Sequence, residues 1–134
     1  ISGPVGQPRQ WDRFFSLMHP QARLIPTRCR TQESATCTLQ VLTPKEYRQA
    51  ADSYLVANGF QEHELVRRTE RYGAIANAFS SYASFRHAES TPFARGINSI
   101  ELFWDGKRWW VLEVFWDSER PDNPLPPSFE RPRP

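Results

Sequence analysis

The side chains of this chain that could do chemistry are few and scattered. Asn98 stands out, because it is the one polar residue in the alternating series Asn98, Ile100, Leu102, Trp104, Trp110, Leu112, Val114 and Trp116. An amide on an apolar face must hydrogen-bond to something, either neighbouring backbone or a group held in a cavity. Tyr82 and Trp116 each carry a polar tip on an aromatic body, which suits a core position and equally a pocket wall. His19 precedes Pro20, where an imidazole commonly closes a helix C-terminus. Arg68 has Glu70 two residues on, and a strand arginine is ordinarily solvated or paired with such a Glu. His19, His63 and His87 have no metal-ligand spacing, and the chain carries neither a Gly-rich phosphate loop nor a nucleophile elbow. No metal and no cofactor is expected.

The element that must position Asn98 is a long hairpin from Arg95 to Glu119. Asp105-Gly106 marks the turn between two runs rich in Ile, Val, Phe and Trp, the strongest short-range hairpin signal. Alternate strand residues point to opposite sides, so the even series forms one apolar face. The odd series is Ile97, Ser99, Glu101 and Phe103, then Trp109, Val111, Glu113 and Phe115, a mixed face with two carboxylates. Even residues oppose even ones across the hairpin only if Gly106 occupies a bulge in the turn, and that arrangement is expected here.

Upstream, Trp11, Phe14, Phe15, Leu17 and Met18 recur at helical spacing up to His19-Pro20. Short strands follow at residues 22–27 and 35–42. Thr43-Pro44-Lys45-Glu46 is a capping box with proline at the first helical position, and Tyr47, Ala50, Ala51, Tyr54 and Leu55 give that helix an apolar stripe ended by Asn58-Gly59. Long strands at 62–72 and 74–87 join at Gly73. The tail beyond Arg120 holds six of the 12 prolines and is expected to lie extended along the surface as a packed or frayed terminus. Helices followed by antiparallel strands make an α+β domain over residues 1–124, with a Pro-rich tail at 125–134.

Composition narrows the partners. In 134 residues, 17 basic side chains are interleaved with 15 acidic ones for a net charge of +2, so the basic stripe of a nucleic-acid binder is missing. No apolar run approaches the ~20 residues of a membrane span. Cys29 and Cys37 flank a polar segment that could turn a hairpin and bring them within disulfide reach. With no export signal at Ile1-Ser2-Gly3-Pro4, a cytoplasmic location and two free thiols are the expectation.

The order of elements, together with Phe-Ser-Leu-Met-His-Pro-Gln-Ala-Arg-Leu-Ile-Pro at 15–26 and the final hairpin, resembles the nuclear transport factor 2 superfamily. The closest likeness is to its SnoaL-like branch, which includes many small bacterial proteins. The resemblance covers roughly residues 11–124. It implies a cystatin-like, cone-shaped domain in which a curved antiparallel sheet wraps around helices and encloses an apolar pocket, often dimerising through its convex face. A longer first helix normally comes before Trp11, and Ile1-Ser2-Gly3 would be its end.

On that reading the even face lines the cone, with Asn98, Trp116, Arg68, Tyr82 and His19 as pocket candidates. The odd face, through Ile97, Phe103, Trp109, Val111 and Phe115, would meet a second subunit in a homodimer. The fold hosts isomerases, dehydratases, hydrolases and non-catalytic modules, and the best-known chemistries transfer poorly. Ketosteroid isomerase chemistry needs an Asp base and a protonated Asp; those positions fall near Pro26 and Ile100. Epoxide hydrolysis of the limonene type needs an Asp-Arg-Asp cluster, and no Asp precedes Arg68 in the strands. Dehydration of the scytalone type leans on Tyr, His and Asp; Tyr82, His19 and His87 are present without a recognisable spacing. The expectation is a small apolar organic ligand in the cone, with or without a weak lyase, isomerase or hydrolase activity. A non-catalytic dimeric interaction module is the alternative.

Overall fold

A computed structural model describes residues 1–29, 36–86 and 88–130. His87, the segment 30–35 between the cysteines and the last four residues lie outside the described residues.

Helix α1 (Trp11–Leu17) leads directly into β1 (Met18–Cys29), followed by β2 (Cys37–Leu39), α2 (Pro44–Asn58), β3 (Gln61–Tyr72), β4 (Ile75–Phe85), β5 (Ala94–Trp104), β6 (Trp109–Ser118) and a short α3 (Pro127–Glu130). The strands form one curved sheet in the order β2-β1-β6-β5-β4-β3. This is an α+β architecture, but the sheet is mixed. β1 runs parallel to β6 while every other pair is antiparallel; β2, α2, β3, β4 and β5 intervene before the chain returns beside its first strand.

Helices α1 and α2 pack on one side of the sheet. Trp11, Leu55 and Phe60 form a buried cluster joined by Phe14, Phe15, Tyr47 and Ala51, and the Trp11 indole donates to Asp52 Oδ1 at 2.7 Å. The capping box of α2 forms as its sequence requires, with Glu46 N donating to Thr43 Oγ1 and Thr43 N donating to Glu46 Oε2 at 2.7 Å. Ile1–Gly3, expected as the end of a helix, is extended instead. Gly3 N donates to Phe60 O at 2.7 Å and Phe60 N to Gly3 O at 3.0 Å, a two-bond bridge that residues with φ in the β region make and a helix end cannot.

Three irregularities decide which residues share a face. In the last hairpin, Asn98 opposes Trp116 and Ile100 opposes Val114, but nearer the turn Leu102 opposes Val111 and Trp104 opposes Trp109. Leu112 is the extra residue. The parity-restoring bulge was expected at Gly106; it lies in β6, because Asp105 Oδ1 accepts from the backbone N–H groups of both Lys107 and Arg108 at 2.8 Å and holds a four-residue turn. Trp109 and Val111 therefore share a face with Leu102 and Trp104, and they leave the face of Ile97 and Phe115 on which they were expected. A second extra residue, Leu65, flips β3 between Glu64 and Val66. The third shift lies in β1 between Met18 and Arg23, around Pro20, which has no N–H to give the ladder.

The tail is part of the domain. Leu125 and Phe129 are each 6% exposed, and α3 packs on β3 and β4. Ser81 Oγ donates to Phe129 O at 2.6 Å, and the Phe129 ring stands edge-on to Phe79 at 5.5 Å. Arg95 fastens this strap from the sheet: its Nε donates to Glu119 Oε2 at 2.7 Å and its Nη2 to Glu130 Oε1 at 3.2 Å. Glu119 in turn accepts from Leu125 N at 3.0 Å. Those bonds hold the Glu119 carboxyl down at about 2.

Cys29 and Cys37 are opposed across β1 and β2 and joined as a disulfide, with Cα atoms 4.1 Å apart. The expectation of free thiols is corrected by the register: an antiparallel pair brings opposed side chains to within bonding distance.

Candidate functional site

A pocket of 310 Å³ opens between the helices and the concave side of the sheet. α1 contributes Phe14, α2 Tyr47, β1 Met18 and Leu24, and β6 Val114 and Trp116. These walls are apolar. The polar groups converge from the opposite side, where Glu62, Tyr82, Ser84 and Asn98 come from three successive strands.

Strand pairing explains the convergence. Glu62 opposes Ser84 on β4, and Asn98 on β5 opposes Trp116 on β6, so residues of one parity reach the same space. Ser84 Oγ donates to Glu62 Oε2 at 3.0 Å, and the Asn98 amide interacts with the same carboxyl. By surface area Glu62 is exposed, since the pocket is open to solvent, yet protein surrounds the carboxyl closely enough that burial raises its pKa above the ordinary value. The Ser84 and Asn98 hydrogen bonds oppose that rise. Burial also pushes the Tyr47 hydroxyl up to about 12, and raises Tyr82.

Tyr82 depends on a glycine. It opposes Gly96 and reaches past it, so that its hydroxyl lies 3.3 Å from Ser118 Oγ. A Cβ on Gly96 would stand 2.6 Å from the Tyr82 hydroxyl and would also collide with the carbonyl oxygen of Asp117. Only glycine leaves this passage open.

Of the five expected pocket residues, Asn98, Tyr82 and Trp116 line this cavity. Arg68 does not. The β3 bulge turns it to the opposite face, where it opposes Phe79 and its guanidinium lies 4.5 Å from the Phe129 ring centroid. His19 does not either: it packs edge-on to Phe103 and Trp110 at 6.0 and 6.2 Å, and its Nδ1 accepts from Gln21 N. His19 is the strand neighbour of Met18, which lines the pocket, so it points to the other face of β1.

Glu62 and Ser84 were not singled out from the sequence. Glu62 stood as the first residue of a strand whose other acidic members read as solvated. A cue was available in the spacing of Glu62 from Phe60, since residues two apart in a strand share a face and both line the pocket.

A second cavity, of 380 Å³, lies on the other side of the sheet under the tail, between Phe79, Ile97, Phe115 and Leu125. Thus Ile97 and Phe115 do occupy the convex face, beside the strap. Phe79 and Phe115 remain 41% and 38% exposed.

No protein-family model matches the chain, and no curated protein matches it.

Proposed function

We propose that this chain is a cone-shaped, SnoaL-like protein of the nuclear transport factor 2 superfamily that takes a small, largely apolar organic molecule into the concave pocket. The observation that carries the reading is the meeting of four polar side chains, Glu62, Tyr82, Ser84 and Asn98, at one end of a 310 Å³ cavity whose other walls are apolar. That volume is at the lower end of the range for small-molecule sites, and a few convergent polar groups in an apolar lining are their usual composition. Of the three tryptophans able to fill the cone, only Trp116 borders the cavity. The ligand body would rest on Phe14, Tyr47 and Trp116, with its polar group among Asn98, Tyr82 and Glu62. A lyase or isomerase step in this pocket would use Glu62 as its proton donor or acceptor.

The test is an NMR titration with a library of neutral aromatic fragments, reading amide and indole resonances. The reading expects shifts at the Asn98 side-chain amide and the Trp116 indole. Shifts confined to Ile97, Phe115 and Leu125 would move binding to the convex face and refute it.

The exposed Phe79 and Phe115 support a second, compatible reading, a homodimer through the convex face. Because the tail already covers part of that face, the contact would form around the strap. A monomeric mass by light scattering at micromolar concentration would rule it out.

A further inference from the structure

The polar end of the concave pocket is one-sided in charge. Glu62 is the only charged side chain among the described residues that line it, and the remaining polar contributors are hydroxyls and one amide. The carboxyl is oriented: Ser84 Oγ donates to Oε2 at 3.0 Å, and Asn98 engages the same group. Ser84 donates to the carboxylate and both neighbours favour its ionised form, leaving further lone-pair directions for a donor inside the pocket. Aromatic surfaces line the same pocket. Tyr47 stands edge-on to Trp116 at 6.2 Å and Phe60 to Phe93 at 6.3 Å, and Phe14 stacks on Tyr47 at 5.9 Å.

A carboxylate among aromatic rings is the composition that recognises an organic cation, since the rings offer their negative faces and the carboxylate a charge-assisted hydrogen bond. An anionic ligand would meet the negative charge of Glu62 in a partly desolvated space. The rim already shows the same affinity: the Arg86 guanidinium lies 4.4 Å from the Phe93 ring centroid.

We infer that the pocket selects protonated amines with an aromatic or short apolar body, the ammonium donating to Glu62 and the body lying against Phe14, Tyr47 and Trp116. This rests on the small-molecule reading above and adds the charge of the ligand to it.

The experiment compares three probes of similar size by calorimetry or NMR titration at pH 7 and low salt: 2-phenylethylammonium, 2-phenylethanol and phenylacetate. The expected order is ammonium at least tenfold tighter than alcohol, with phenylacetate weakest. In Glu62→Gln the ammonium should fall to the affinity of the alcohol while the alcohol is unchanged. The wild-type ratio decides even if that variant folds poorly. Alcohol binding as tightly as ammonium, or phenylacetate binding best, overturns the inference and leaves the small-molecule reading standing. No binding by any of the three overturns both.

Discussion

Replacing Gly96 with alanine adds one methyl group at the narrowest point of the site. The new Cβ would lie 2.6 Å from the Tyr82 hydroxyl, where ordinary contact begins at 3.4 Å, so Tyr82 must withdraw by roughly 0.8 Å. That displacement pulls its hydroxyl from Ser118 and narrows the pocket. The carbonyl of Asp117 is backbone of the neighbouring strand and cannot withdraw without loosening the β5–β6 ladder, in which Gly96 opposes Ser118. Overpacking costs about 1–3 kcal/mol, and a clash with backbone belongs at the upper end. For a chain of this length the unfolding entropy is about 0.28 kcal/mol/K, so about 3 kcal/mol lowers Tm by about 10 °C. Differential scanning calorimetry measures this directly. The double variant Gly96→Ala/Tyr82→Phe should recover only part of the loss, because it relieves the hydroxyl and leaves the carbonyl clash. A Gly96→Ala protein melting within 2 °C of the wild type, on the order of 0.5 kcal/mol, would refute the close approach.

Further expectations concern charge and the tail. The Glu62 pKa is raised in the fold from an ordinary 4.5, so its contribution to stability is fully present below that value and is lost as pH rises through the folded one. The stability of Glu62→Gln relative to wild type should therefore improve as pH increases above about 4.5, and denaturant titrations showing the opposite trend would contradict the burial of this carboxyl. Glu119 has the reverse sign: held at about 2 in the fold, it stabilises above its unfolded value and stops doing so as pH falls towards 2. Limited proteolysis should accordingly find residues 120–130 more easily cut at pH 3 than at pH 6 with an acid-tolerant protease, and equal rates would count against the Arg95 clamp. Phe129→Ala should destabilise by about 2 kcal/mol, less than a deep core truncation, because the strap can detach before the sheet unfolds. Unchanged melting together with unchanged proteolysis would show that the tail is not docked.

The α+β class and the order of helices and strands as far as β6 were legible because they are written locally, whereas α3 lies in a tail expected to be extended. Thr43-Pro44-Lys45-Glu46 names the start of α2, and Asp105-Gly106 names the last turn. What was not legible depends on single extra residues. Leu65 and Leu112 are ordinary apolar residues within regular strands, and nothing in their type announces a bulge, yet each reverses the facing of everything beyond it. That is why Arg68 leaves the pocket and why Trp109 and Val111 leave the convex face. The parallel pairing of β1 with β6 is equally silent, since it arises from where the chain returns after five intervening elements. Asn98 was found because it breaks a pattern; Glu62 was missed because it begins one. The docking of the tail rests on Leu125 and Phe129, two apolar residues among prolines that an extended surface segment would have no reason to carry.

The most direct test of the central claim is to fill the cavity. Val114 opposes Ile100 and lines the pocket, so Val114→Phe places a ring where a ligand body would lie. The account predicts that this variant melts close to the wild type, because the ring enters open space, and that it loses binding of 2-phenylethylammonium by tenfold or more. A variant that binds the amine as tightly as the wild type would contradict a ligand site inside the cone, and one that fails to fold would contradict the open space itself.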